Sequence, residues 1–105
     1  MEHEIEVADA AMAELVGIVA WIARDSSTDA VRWLGAFWKS VRSLRSYPGR
    51  CPLAPEDVTS IVEVRQLVFG DYRVLFTIRD SQVRVLHVRH GAMRPLGDKG
   101  WRRST

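Results

Sequence analysis

The apolar pattern of residues 62–95 predicts three consecutive short strands. β-Branched and aromatic residues fill runs of about eight residues, and the turn-forming pairs Gly70-Asp71 and Asp80-Ser81 separate these runs. In the middle run, a period of 2 places Tyr72, Val74, Phe76 and Ile78 on one face and Arg73, Leu75, Thr77 and Arg79 on the other. The pattern therefore predicts an antiparallel meander that packs with one face and can meet a partner with the other.

The third run of this meander is apolar on both faces. Val83 and Val85 fall on one side by alternation, whereas Leu86 and Val88 fall on the opposite side. Strands covered on both faces show this composition. We therefore expect this strand to be central and covered on both faces at one end.

The first half of the chain predicts a short strand and two helices. Residues 4–7 alternate like a strand, and Asp9 is placed to cap a helix that runs to about Arg24. The second helix starts at the cluster of residues 26–29 and ends near Tyr47, where Pro48-Gly49 stops it. Helical spacing connects Leu15, Ile18, Val19 and Ile22, and then Ala30, Leu34, Phe37, Val41 and Leu44. These two stripes predict an antiparallel helical hairpin.

Three tryptophans, Trp21, Trp33 and Trp38, lie beside the apolar stripes of the helices. They either cover the face of the sheet or form a docking groove for a helix or strand of another protein. Trp33 and Trp38 are therefore candidate binding residues.

The order of elements predicts an α+β fold: a short N-terminal strand, an antiparallel helical hairpin, and then a three-stranded antiparallel meander. A chain of 105 residues suits one domain, here residues 1–105. Residues 48–61 carry three of the four prolines and predict a surface loop. The polar, basic tail 97–105 is expected to fray.

Length and cysteine content favour a protein of the reducing cytoplasm. The longest apolar run, residues 15–23, is nine residues, whereas a membrane-spanning helix needs about 20. The N-terminus is acidic and lacks the basic and apolar regions of a secretory signal. Cys51 is the single cysteine and has no intrachain disulfide partner. We therefore expect no membrane partner.

The charges are distributed unevenly along the chain. Residues 1–30 contain seven acids and one arginine, whereas the remaining residues contain 14 bases and six acids. Thirteen of the 15 bases are arginines, whose planar donor fork suits phosphate and carboxylate groups. The meander therefore indicates an anionic partner, with candidate binding residues Arg65, Arg73, Arg79 and Arg94. The alternative is pairing with surface acids, for Arg73 with Glu63 or Asp71.

The sequence predicts neither a metal site nor a cofactor. His87 and His90 are three residues apart and point to opposite faces of a strand, while His3 and Cys51 are distant in sequence. The chain also lacks a glycine-rich phosphate loop and a nucleophile elbow.

The order of elements, with arginines on the meander, resembles the RelE and ParE superfamily of toxins from bacterial type II toxin-antitoxin systems. The resemblance covers nearly the whole chain. It is carried by the Tyr47-Pro48-Gly49 break, by Val64-Arg65-Gln66-Leu67, by Asp71-Tyr72-Arg73-Val74-Leu75-Phe76, and by Val88-Arg89-His90-Gly91 with Arg94 beyond. It implies a small toxin that a cognate antitoxin neutralises by wrapping its helices and sheet.

RelE-like members of this superfamily cut messenger RNA on the translating ribosome, which needs an acid, a base and cations around the phosphate. On this resemblance Arg73 would clamp the phosphate, His90 would be the catalytic histidine and Arg94 would add a second charge. The tyrosine that many RelE-like members carry beyond the last strand is missing here. Val64 and Gln66 also replace the paired lysines that some members place before the central arginine.

ParE-like members poison DNA gyrase by binding it and have no known catalytic constellation. The long helical hairpin, the Arg65-Gln66-Leu67 strand and the His90-Gly91 ending are more similar to this branch, which we favour. The alternatives are a RelE-like mRNA endonuclease and a non-toxic nucleic-acid-binding module. The latter would bind duplexes with a steep salt dependence, but the chain shows no DNA-reading motif.

Overall fold

The structure, a computed structural model, describes residues 2–93 and shows an α+β fold. Four strands and two helices follow in the predicted order: β1 (Glu4–Val7), α1 (Asp9–Ala23), α2 (Ser27–Arg42), β2 (Arg65–Phe69), β3 (Tyr72–Arg79) and β4 (Gln82–His90). The predicted fold class is confirmed. Arg94, Trp101 and the tail 97–105 lie outside the described residues.

The four strands form one mixed sheet in the order β1-β4-β3-β2. Strands β2, β3 and β4 are the predicted antiparallel meander, and β1 adds to β4 in parallel. A bulge lies beside Leu75 and Phe76, which pair with His87 and Val85, so that Leu86 is the extra residue on β4. Strand β4 is therefore central, and its residues from Val85 to Val88 are buried, as the double-sided apolar pattern predicted.

The helical hairpin covers one face of the sheet. Its seam residues Ala30, Phe37, Val41 and Leu44 are buried and Leu34 is half-buried, as their spacing predicted. The main core cluster joins both helices to β3 and β4 through Ala11, Leu15, Phe37, Val41, Val74, Val85 and Val88. Removing this apolar area from water provides the main driving force that holds the helices on the sheet.

The segment between α2 and β2 covers the other face of the sheet. The predicted surface loop of residues 48–61 contains two 3₁₀ helices, Pro48–Arg50 and Pro55–Thr59. A second core cluster lies beneath this segment and consists of Ala54, Val64, Leu75 and Leu86. The segment is thus a packed cover as well as a connection.

The ends of the helices differ in detail from the sequence prediction. Ala8 occupies the N-cap position of α1, and Asp9 is the first helical residue, so the predicted cap is wrong. The Ser26 side chain caps α2 and accepts a hydrogen bond from the Asp29 N–H at 3.1 Å. Helix α2 ends at Arg42 and continues as a 3₁₀ turn to Arg45, short of the predicted end.

A left-handed residue and an arginine terminate this helical segment. Tyr47 has a φ of 52°, a backbone conformation that a helix cannot continue. The Arg50 guanidinium donates to the backbone oxygens of Ser46 and Tyr47 at 2.8 and 3.1 Å. These bonds satisfy carbonyls that the end of a helix leaves without partners.

Within residues 2–93, no helix is both long enough and apolar enough to cross a membrane. The longest, α2, has 16 residues, which corresponds to about 24 Å at the helical rise.

Candidate functional site

Arg73 on β3 forms a buried ion pair with Glu56 from the covering segment. Its Nη1 and Nη2 donate to Glu56 Oε1 and Oε2 at 2.9 and 2.8 Å, and Nη1 also donates to Gln66 Oε1 at 3.1 Å. The Glu56 side chain is fully buried, and that of Arg73 is 12% exposed. Two parallel charge-assisted bonds are the strongest arrangement that an arginine makes with a carboxylate.

The backbone around Glu56 holds this carboxylate over the sheet. Asp57 Oδ1 accepts from the Val64 N–H at 2.9 Å, and the Ala54 N–H donates to the Val64 oxygen at 2.8 Å. These bonds place the Pro55–Thr59 helix above β3. The partner of Arg73 is thus Glu56, and the alternative that the sequence offered, pairing with Glu63 or Asp71, is wrong.

The ion pair fixes both the charge and the orientation of Arg73. The hydrogen bonds that Arg73 donates to Glu56 raise the pKa of Arg73 above its ordinary value, and burial opposes this rise. The guanidinium is therefore charged at neutral pH. Its donor fork is directed at Glu56 and Gln66, so a phosphate would have to displace a buried carboxylate.

His90 lies on the opposite face of the sheet from Arg73. Its ring contacts the Tyr72 ring edge-to-face at 5.4 Å between centroids, and Tyr72 in turn contacts Trp33 of α2. The His90 Nδ1 accepts a hydrogen bond from the Ala92 N–H at 3.1 Å. His90 and Arg73 therefore cannot act on the same phosphate group in this arrangement.

The other candidate arginines have separate environments. Arg65 donates from Nη1 to the Cys51 oxygen at 2.6 Å and pairs with Glu63, which anchors the covering segment to β2. Arg79 is exposed at the end of β3 and, within residues 2–93, makes no ion pair. It lines an open groove of about 580 Å³ beside the ion pair of Arg84 and Glu6. Arg94 lies outside the described residues.

The two candidate tryptophans are part of the aromatic core. Trp33 stacks on Phe37 at 5.3 Å and meets Phe69 edge-to-face at 5.6 Å, while Trp38 contacts Phe37 at 5.4 Å. Both side chains are half-buried. They cover the face of the sheet, which was one of the two interpretations of their pattern.

The outward face of α1 is a surface that the sequence prediction did not identify as a site. Its exposed residues between Asp9 and Arg24 are apolar without exception, and Trp21 is 64% exposed. The one acid within this stretch, Glu14, is turned towards β4, where it accepts from the Val88 N–H at 3.0 Å and contacts His87 Nδ1 at 3.1 Å. A helix that is apolar on all sides could have indicated this surface, since a surface helix normally has a polar face.

Trp21 also borders a groove between α1 and the sheet. The groove has a volume of about 310 Å³, and the exposed residues His90 and Met93 contribute to its lining together with Tyr72. Aromatic and thioether groups of this kind suit an apolar side chain of a protein partner.

No metal site is formed by the described part of the chain, since residues 2–93 contain no cluster of three or more His, Cys, Asp or Glu side chains that could hold an ion.

Cys51 belongs to the segment between α2 and β2 and is buried beside Leu44 and Phe76. Burial raises the pKa of its thiol, and the nearby arginines Arg50 and Arg65 oppose this rise. Because the thiolate is the reactive species, we expect the native protein at pH 8 to react with a thiol reagent at least about tenfold more slowly than the unfolded chain. Titration with such a reagent in buffer and in denaturant measures this ratio, and equal rates would contradict it.

Comparisons with known proteins agree with this architecture. The family model described as ParE toxin of type II toxin-antitoxin system, parDE, matches residues 5–95. A solved structure described as the chromosomal ParDE TA system from P. aeruginosa superposes with a TM-score of 0.68 at 16% sequence identity, covering 85% of this chain and 96% of that chain. Among curated proteins no relative matches. The family match spans all the strands and helices described above apart from the first residue of β1, and the chain therefore belongs to the ParE toxin family of type II toxin-antitoxin systems.

Proposed function

We propose that this toxin stops growth by binding DNA gyrase, without acid-base catalysis by its own side chains. The observation that supports this function is the separation of Arg73 and His90, the two residues that a RelE-like cleavage would need together. Arg73 is held by Glu56 on the covered face of the sheet, whereas His90 lies by α1 and Tyr72 on the helical face. General acid-base catalysis requires both groups within hydrogen-bond reach of the same reacting atoms.

We further propose that a cognate antitoxin neutralises the chain in the cytoplasm, where gyrase acts. Membership of a family of toxins from toxin-antitoxin systems supports an antitoxin partner. The exposed apolar surfaces around Trp21 and Met93 support a protein partner, since apolar side chains grouped on one surface are typical of protein contacts. A short reading frame next to the toxin gene is expected to encode this antitoxin.

Induced expression without the antitoxin tests the gyrase proposal. We expect growth arrest, intact messenger RNA in primer extension, and loss of supercoiling activity when purified toxin is added to gyrase. The His90→Ala variant should inhibit gyrase as strongly as the parent chain, because a binding mechanism needs no catalytic histidine. The measurement is the inhibitor concentration that halves supercoiling, compared between the two proteins.

Two results would contradict the gyrase proposal. Cuts within translated messages that disappear in His90→Ala would establish a RelE-like endonuclease instead. Normal growth, together with an affinity for duplex DNA that falls steeply with salt, would favour a non-toxic nucleic-acid-binding module.

A further inference from the structure

The outward side of α2 carries three positively charged side chains. Arg32, Lys39 and Arg42 are exposed, and none of them makes an ion pair within the part of the chain that the structure describes. At 3.6 residues per turn, these positions fall within a sector of about 80° on the side turned away from the buried seam of the hairpin. The three side chains therefore belong to one surface, the cationic face of α2.

The rest of the cationic face is small or polar. Gly35, Ala36 and Ser43 are exposed beside the three cations. A Cβ atom added to Gly35 would have no heavy atom within 4 Å, so the backbone is open to close approach at this point. Val31 is the one large apolar residue exposed on α2, and it lies at the edge of the face. The face therefore offers charge without an apolar anchor.

Acidic side chains leave this charge unpaired. The sequence from residue 30 to residue 42 contains no acid, and Asp29 lies in the first turn, before the cations. Glu4 borders the same groove as Arg42 but forms no ion pair with it. The face thus presents three positive charges to solvent.

This composition suits the backbone of a nucleic acid better than the surface of a protein. Protein interfaces are centred on aromatic or large apolar anchors, whereas surfaces that bind DNA are polar and positively charged. We propose that the cationic face of α2 contacts the phosphates of duplex DNA, namely the segment that gyrase holds when the toxin binds the enzyme. The identity of this DNA rests on the proposed function, whereas the contact with phosphate can be tested without gyrase.

The spacing of the cations agrees with a phosphate backbone. Arg32 and Arg42 are ten positions apart, which corresponds to about 15 Å along the helix. Each strand of B-DNA carries one phosphate about every 3.4 Å along its axis, so each of the three side chains can reach a phosphate of its own. Contacts of this kind position a protein on DNA without reading the base sequence. The contact therefore needs no DNA-reading motif.

The number of cations predicts how the affinity depends on salt. Each phosphate contact contributes about −0.9 to the slope of log affinity against log salt concentration, because counterions are released. Lys39→Gln should therefore make the slope less steep by about 0.9 and lower the affinity for a duplex about fivefold at 100 mM salt. Replacing all three cations by glutamine should change the slope by about 2.7 and lower the affinity at least about fiftyfold.

Fluorescence anisotropy of a labelled duplex of about 20 base pairs, titrated with the antitoxin-free chain at several salt concentrations, measures both quantities. Val68→Glu is the matched control, because it also lowers the net charge by one. Val68 is 62% exposed and pairs with Arg73, on the face of the sheet turned away from the helices. Its affinity for the duplex should stay within about twofold of the parent chain. Circular dichroism checks that each variant remains folded.

A second measurement connects the cationic face to gyrase. The affinity of the chain for purified gyrase is measured with and without a duplex bound to the enzyme. We expect the parent chain to bind the gyrase–DNA complex at least about tenfold more tightly than gyrase alone. The triple glutamine variant should bind the two forms equally, because it has lost the contact with DNA.

A triple variant that keeps the affinity and the salt slope of the parent chain would overturn the proposal. A loss in Val68→Glu as large as that in Lys39→Gln would also overturn it, since net charge alone would explain the binding. If the triple variant loses affinity for DNA-free gyrase and retains its affinity for the duplex, the face binds an acidic protein surface instead.

The gyrase measurement distinguishes failure of this inference from failure of the proposed function. A parent chain that inhibits gyrase and binds it equally with and without DNA would overturn the contact with DNA and leave the proposed function standing. A parent chain that binds neither form of gyrase would overturn both.

Discussion

Replacing Arg73 by alanine is expected to lower the free energy of unfolding by about 3 kcal/mol, because the Glu56 carboxylate loses its bidentate partner while it remains buried. The covering segment should loosen as a consequence, since this pair connects Pro55–Thr59 to β3. Urea unfolding followed by tryptophan fluorescence measures the change.

Arg79→Ala is the control for this variant. Arg79 lies on the same strand but is exposed, and its removal should change the stability by less than about 0.5 kcal/mol. A double-mutant cycle with Glu56→Ala should yield a coupling energy of at least about 1.5 kcal/mol between Arg73 and Glu56. A loss in Arg73→Ala no larger than that in Arg79→Ala would show that the pair contributes little to stability.

Phe37→Ala is expected to be the most destabilising single substitution in the helical hairpin, at about 4 kcal/mol. Phe37 is 1% exposed, and its ring contacts Trp33, Trp38 and Phe69 at centroid distances of 5.3, 5.4 and 5.7 Å. Truncation would leave a cavity that these rigid rings cannot fill by small movements. Thermal and urea unfolding both report the loss.

Val31→Ala provides the comparison within the same helix, because Val31 is 73% exposed and removes little apolar area from water. Its stability should remain within about 0.5 kcal/mol of the parent chain. If Phe37→Ala lost less than about 1 kcal/mol, the aromatic cluster would not be the centre of the core.

These two predictions separate stability from target binding. The Arg73→Ala substitution would lower toxicity in either mechanism if it loosened the fold. A toxicity assay with this variant alone therefore cannot identify a catalytic arginine. His90 is more informative, because it is exposed and contributes little to the core. A gyrase assay with His90→Ala therefore distinguishes binding from catalysis without a large change in stability.

Local periodicity was sufficient to predict the succession of helices and strands, but the expectation that the second face of the meander stays open is wrong, because the segment before β2 covers it. The seam from Ala30 to Leu44 and the alternation from Tyr72 to Arg79 repeat at the periods of a helix and a strand, and both face the core as expected. Turn-forming pairs likewise predicted the hairpins at Gly70 and Asp80. Such features depend on neighbours in the sequence, so they can be recognised without a structure.

The exact ends of the helices depend on a competition between local capping preferences and hydrogen bonds to distant parts of the chain. Asp9 is of a residue type that often caps helices, but Ala8 occupies the N-cap position of α1. The Ala8 N–H donates to the Val85 oxygen at 2.8 Å, and this bond joins the start of the helix to β4. A backbone bond to a distant strand cannot be inferred from residue preferences at a helix start.

What the sequence by itself determined was the succession of strands and helices, the apolar seams and the excess of arginine after residue 30. Only the tertiary structure decided what those arginines contact. Glu56 and Arg73 are separated by 17 positions. The alternation of side chains along a strand shows that Arg73 lies on the face opposite the helices, but it does not show which segment covers that face. Burial of a charge is determined by such distant contacts, and so the residue that the sequence suggested for phosphate binding is the partner of a buried carboxylate.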